Sequence, residues 1–186
     1  MLVLATLLYA CGNNKESAAV TKDTVSTAQL IDQGKYLVRI GGCGDCHSPK
    51  VMTPQGPAED TTRLLSGFTA TDSFPAPTAA ILQKGVLFNH QNTAFAGPWG
   101  ISYGANLTPD ASGIGNWTFE QFNKAMREGK AKGMDGSRML LPPMPWPNYR
   151  QMKEEDMQAI YAYLKSIKPV ENLVPVPQPP TVFERP

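Results

Sequence analysis

Apolar positions recur at helical spacing in three separated stretches of the 186-residue chain. From Ala28 to Ile40, Leu30, Ile31, Leu37 and Val38 fall at i, i+1, i+7 and i+8, which predicts an amphipathic helix. Gly34 lies on its buried face and leaves room for a second helix, and Gly41-Gly42 ends it. Another helix is predicted to start at Thr118-Phe119-Glu120-Gln121, a capping box, and to run to about Glu128. It would bury Phe119, Phe122 and Met126 and stop at Gly129. The third spans Glu154 to Ile167, with Met157, Ile160, Tyr161 and Leu164 at i, i+3, i+4 and i+7. Acidic residues open it and Lys165 and Lys168 close it, as the helix dipole favours. This helix is expected to cross the first near Gly34, with Tyr161 or Leu164 meeting the gap.

Between these helices the period is lost. From Ser48 to about Asn116 the chain is punctuated by Pro49, Pro54, Pro57, Pro75, Pro77 and Pro98 with glycines between them. A loop of that length without structure is unusual, so short helices are expected within it, at Thr61 to Leu65 and Thr78 to Gln83. The run Leu140-Leu141-Pro142-Pro143-Met144-Pro145-Trp146-Pro147 forbids a regular helix or central strand and predicts a stiff, extended segment. Six prolines in the eighteen residues from Pro169 onward predict an extended tail.

Composition agrees with few helices. An apolar share of 41% is accompanied by 17 Pro and 16 Gly, which predicts a loop-rich, all-α fold with little sheet. Such a chain buries little side-chain surface of its own, and a bound apolar group at its centre would supply the missing mass. Lys plus Arg number 17 against 16 Asp plus Glu, so no polybasic patch argues for nucleic acid, and protein partners are expected instead.

The chemistry is concentrated in Cys43-Gly44-Asp45-Cys46-His47. On one turn of helix, Cys43, Cys46 and His47 stand at i, i+3 and i+4, so two thiols and one imidazole share a face. C-x-x-C-H is the attachment signature of a c-type haem: the thiols add to the two vinyl groups and the imidazole reaches the iron. Two other readings of the cysteine pair exist. A redox dithiol calls for a βαβ context, and a closed zinc site calls for four ligands.

A second axial ligand is sought in the proline run. Rigid backbone on both sides of Met144 reduces the entropy lost in holding a weak thioether on iron, so Met144 is the candidate, with Met139 as runner-up. His90 is the sole alternative imidazole and reads more simply as an ordinary surface histidine. Met126, Met152 and Met157 lie on helical faces and read as core. Trp99 and Trp117 are candidates to border the haem, and Arg63 and Arg138 to pair with its propionates.

The third cysteine stands apart. Met1 to Ala10 is an apolar run too short to span a bilayer, and Leu8-Tyr9-Ala10-Cys11 resembles a bacterial lipobox, whose cleavage leaves a lipidated cysteine at the mature N-terminus. A plain secretory signal is the alternative, and both address the chain to an extracytoplasmic compartment. The expected organisation is a signal segment at 1–10, a flexible tether at 11–27, a haem domain at 28–170 and a proline-rich tail at 171–186.

Taken together, the helix with Gly34 and Tyr36, CGDCH, the proline-flanked Met144 and the terminal helix with Tyr161, Tyr163 and Leu164 resemble class I bacterial cytochromes c. NLTPD, GIGNWT, LPPMPW and AIYAYLKSIKPVENLVP are similar to the cytochrome c subunits that accompany periplasmic dehydrogenases. The resemblance implies the cytochrome c fold, thioether links from Cys43 and Cys46, and iron ligation by His47 and Met144. With one CxxCH motif, the expected function is that of a monohaem carrier passing electrons between respiratory or dehydrogenase partners. It would be anchored to a membrane by a lipid on Cys11. The alternatives are a haem enzyme or gas sensor with an open sixth position, or a haem subunit of a dehydrogenase complex.

Overall fold

The computed structural model describes residues 25–181 apart from 73, 75, 76, 79–81, 83 and 84. The expected signal segment, Cys11 and most of the tether lie outside the described residues. Within them are five α-helices: α1 (Thr27–Ile40), α2 (Cys43–His47), α3 (Phe119–Glu128), α4 (Trp146–Tyr149) and α5 (Glu154–Ser166).

Helix α1 begins with a capping box that the apolar pattern does not reveal. The Gln29 amide donates to Ser26 Oγ (3.3 Å) while the Ser26 amide donates to Gln29 Oε1 (2.9 Å). It packs closely against α5, and Gly34 is what permits the approach. A Cβ on Gly34 would stand 1.9 Å from the Ala159 carbonyl oxygen and 2.8 Å from Tyr163 Cβ. The gap is therefore met by the α5 backbone and by Tyr163, not by Tyr161 or Leu164. Tyr161 turns the other way, donating its hydroxyl to the Trp117 carbonyl (2.6 Å) and packing its ring against Phe119 and Phe122.

Helix α3 carries the predicted Thr118 and Gln121 box, with hydrogen bonds of 3.2 and 3.0 Å, and Gly129 ends it at φ 67°. Helices α1, α3 and α5 bury one apolar cluster that includes Val38, Phe122, Met126, Met157, Ile160, Tyr163 and Leu164. Leu65 and Ile114, each 1% exposed, close it from the long loop.

That loop is where the all-α expectation fails. It holds two small antiparallel sheets: β1 (Lys50–Thr53) with β2 (Gly56–Glu59), and β3 (Leu87–Phe88), β4 (Ala94–Gly97) and β5 (Gly100–Tyr103) in that order. The strands are two to four residues long, and β4 is buried at every position, so neither length nor alternation marks them in the sequence. Thr61–Arg63 forms a 3₁₀ turn capped by Asp60, shorter than the helix predicted there. The predicted helix at 78–83 falls mostly outside the described residues.

The proline run departs from expectation as well. Trp146–Tyr149 forms one helical turn, because Pro147 sits in its first turn, where a missing N–H costs no hydrogen bond. The chain after Pro169 is extended but not loose. Asn172 Nδ2 donates to the carbonyls of Ser66 (2.7 Å) and Phe68 (2.9 Å), and Gln178 pairs with Ile101 through two backbone bonds of 2.9 Å.

Candidate functional site

Helix α2 is a single turn held from outside. Its N-cap is Gly42, at φ 66°, and the Gly67 amide donates to the His47 carbonyl (2.7 Å). The Ser48 hydroxyl, fully buried, accepts the Leu65 amide (3.0 Å) and so ties the end of the motif to the loop. The end of β5 runs directly alongside: a Cβ on Gly104 would stand 2.0 Å from the Cys46 carbonyl oxygen, so only glycine fits there.

The next residue on that edge sets the chemistry of His47. The ring nitrogen Nδ1 lies 2.8 Å from the Ala105 carbonyl oxygen, and a carbonyl only accepts, so Nδ1 carries the proton. Burial pushes the imidazole pKa down, which favours the neutral ring. A neutral imidazole donating from Nδ1 has its lone pair on Nε2, as a metal-ligating histidine requires.

Both motif cysteines are free thiols and half-buried. Burial is the largest influence on Cys43 and pushes it up to about 11, outweighing a backbone hydrogen bond in the opposite sense, with Asp45 adding to the rise. Burial raises Cys46 as well. Thiols held protonated are unlike the low-pKa pair of a redox dithiol. Among the described residues no group of three or more His, Cys, Asp or Glu side chains is arranged to hold a metal ion, so the zinc reading has no ligand set there.

Cys43, Cys46 and His47 line one wall of a cavity of about 200 Å³. The core residues Ile114, Phe122, Met126, Ile160 and Leu164 line it too, and the proline run from Leu140 to Pro145 supplies a further wall. Met144 is among the residues facing it, whereas Met139 and His90 are not. Met139 lies instead against Gly129, and His90 is exposed. Of the other candidates, Trp117 and Arg138 line the cavity. Trp99 folds over Gly97, with its Nε1 on Ser102 Oγ (3.2 Å), and Arg63 pairs with Asp60 at 2.9 Å. Among the described residues Arg138 makes no ion pair, and its Nη1 donates to the Met139 carbonyl (2.8 Å).

Three contacts that the sequence does not signal hold the walls in register. Ser102 Oγ donates to the Pro142 carbonyl (2.6 Å), fastening β5 to the proline run. The Leu140 amide donates to the Gly129 carbonyl (2.6 Å) at the end of α3. Tyr149 reaches from α4 to the Gly41 carbonyl (2.6 Å), just before the motif. Each of these ends on a backbone carbonyl of Gly or Pro, so composition and spacing carry no trace of them.

The donor set suits a covalent haem c: two neutral thiols, an imidazole with a free Nε2, a thioether on the same cavity and an apolar lining completed by core residues. Comparison with known proteins points the same way. The family model described as Cytochrome c matches residues 31–168. The gluconate 2-dehydrogenase cytochrome c subunit of Pantoea cypripedii is 33% identical over 91% of this chain. The cytochrome c subunit of alcohol dehydrogenase (quinone) from Gluconacetobacter polyoxogenes is 38% identical over 82%, and the fructose dehydrogenase cytochrome subunit of Gluconobacter japonicus 30% over 97%. The chain spans only 28%, 25% and 30% of those relatives' own lengths, respectively. With most of its length matched and the attachment motif on the cavity wall, the chain belongs to the cytochrome c family, whose members carry covalent haem c.

Proposed function

We propose that this chain is a monohaem electron carrier whose iron is held by His47 and Met144, and that it serves a dehydrogenase as its cytochrome c partner. The observation that carries this reading is that Cys43, Cys46, His47 and Met144 line one and the same cavity. Bound haem c supplies a one-electron couple. The chain's own residues do the rest. Cys43 and Cys46 would hold it, each S–H adding across a vinyl group to give a thioether. His47 presents Nε2, with the Ala105 carbonyl fixing its tautomer. Met144 offers its sulfur from a segment stiffened by Pro142, Pro143 and Pro145. Were His47 and Met144 both to hold the iron, no position would be left for a substrate, and the chain would move electrons without transforming one. The Arg138 guanidinium, on the cavity wall and without a carboxylate partner among the described residues, is suited to a propionate.

The dehydrogenase partner is supported by the names that the relatives bear, which span gluconate, alcohol and fructose dehydrogenases and so assign no one substrate. The Leu8-Tyr9-Ala10-Cys11 sequence supports a lipid on Cys11 and an extracytoplasmic, membrane-anchored position.

Optical spectra of the oxidised and reduced protein, with and without carbon monoxide, test the ligand set. The wild type should be low-spin, indifferent to carbon monoxide, and should show the weak sulfur-to-iron band at the red end of the visible. Met144→Ala should lose that band and bind carbon monoxide when reduced. If the band survives in that variant, Met144 is not the ligand.

A further inference from the structure

A turn as short as α2 leaves most of its carbonyls without donors from its own helix, and tracing their partners leads to Lys50. The Ser48 amide donates to the Gly44 carbonyl (3.1 Å) and Gly67 serves His47. Lys50 Nζ gathers three carbonyls at that end, donating to those of Gly44 (2.9 Å), Asp45 (3.1 Å) and Ser48. Asn92 Nδ2 adds a second donor to Asp45 (3.0 Å). An ammonium has three donors and no acceptor, whereas a neutral amine keeps only two, so three carbonyls around one nitrogen call for the charged form. A cation at this end also matches the helix dipole.

The hairpin of β1 and β2 is what delivers it. Lys50 is the first residue of β1 and stands opposite Glu59 in the register. Glu59 in turn reaches over Gly44, where an added Cβ would stand 1.6 Å from its Oε1. The strands missing from the all-α expectation therefore carry a charge to the base of the turn that bears Cys46 and His47.

We propose that Lys50 is a positioning residue for the haem motif: its ammonium fixes the turn that presents Cys46 and His47, and its charge favours the reduced haem. The inference rests on the haem reading of the site. A fixed positive charge stabilises the state holding the extra electron. Through an effective dielectric near 20, one such charge is expected to shift a one-electron equilibrium roughly tenfold, equivalent to about 59 mV.

Wild type, Lys50→Gln and Lys50→Arg are compared as full-length, haem-loaded proteins by covalent haem content and by midpoint potential. Lys50→Gln should lower the potential, on the tenfold scale above, and Lys50→Arg, which keeps the charge, should stay close to wild type. A Lys50→Gln protein that loads haem and keeps the wild-type potential overturns the proposal, as does an equal fall in both variants. Loading by the Arg variant but not the Gln variant supports it. If neither loads, the proposal is overturned, because the Arg variant keeps the charge and should load as the wild type does. A wild-type protein without covalent haem would instead refute the reading of the site itself.

Discussion

His47, Cys43 and Cys46 share one physical condition, burial, and it acts on each in the direction that keeps the group neutral. For Cys43 this has a consequence for stability in the chain produced without haem. Its folded pKa of about 11 lies above the ordinary 9.0, so the folded state holds a proton that the unfolded state releases between those values. The contribution is fully present below pH 9 and is lost as pH rises toward 11. Urea unfolding of the haem-free chain should therefore show stability falling across that window, and falling less in Cys43→Ser. The haem-loaded protein, with sulfur in a thioether and no proton to lose there, should show a correspondingly smaller fall.

The crossing of α1 and α5 turns on one missing side chain. An alanine at Gly34 raises helix propensity by about 1 kcal/mol, yet its Cβ would overlap the Ala159 carbonyl, which is backbone and has no rotamer to retreat into. Overpacking costs of about 1–3 kcal/mol should outweigh the propensity gain, so Gly34→Ala is expected to lower the urea midpoint and Gly34→Val to lower it further. The apolar period located both helices and the thin spot between them. It misassigned the residue opposite, because α5 rotates to put Tyr163 and Ala159 toward α1 and leaves Tyr161 to bond the Trp117 carbonyl. Rotation by a fraction of a turn is set by which face meets which neighbour, and the period does not contain it.

For the whole molecule, the extended chain after Pro169 acts as a strap over the loop that flanks the motif. Asn106 Nδ2 donates to the Val170 carbonyl (2.9 Å), Asn172 holds Ser66 and Phe68, and Pro177 lines the cavity. Asn172→Ala would leave the carbonyls of Ser66 and Phe68 without that donor, and both residues are buried, at 1% and 3% exposure. Unsatisfied buried groups cost about 1–3 kcal/mol, so the urea midpoint should fall with an unchanged m value. Faster cleavage within the strap by a protease of broad specificity should accompany it.

Local pattern alone determined the three long helices, the cap chemistry at Thr118 and Gly129, and the helical face shared by Cys43, Cys46 and His47. Each of these depends on residues within a turn or two of one another, so spacing in sequence is spacing in space. Only the tertiary structure decided which methionine shares the cavity with the motif, which arginine faces it, and that five short strands thread the loop. Those outcomes depend on backbone carbonyls meeting partners that lie elsewhere in the chain, as Ala105 meets His47, Pro142 meets Ser102 and Gly44 meets Lys50. A carbonyl is present at every position, so no sequence marks the ones that are used.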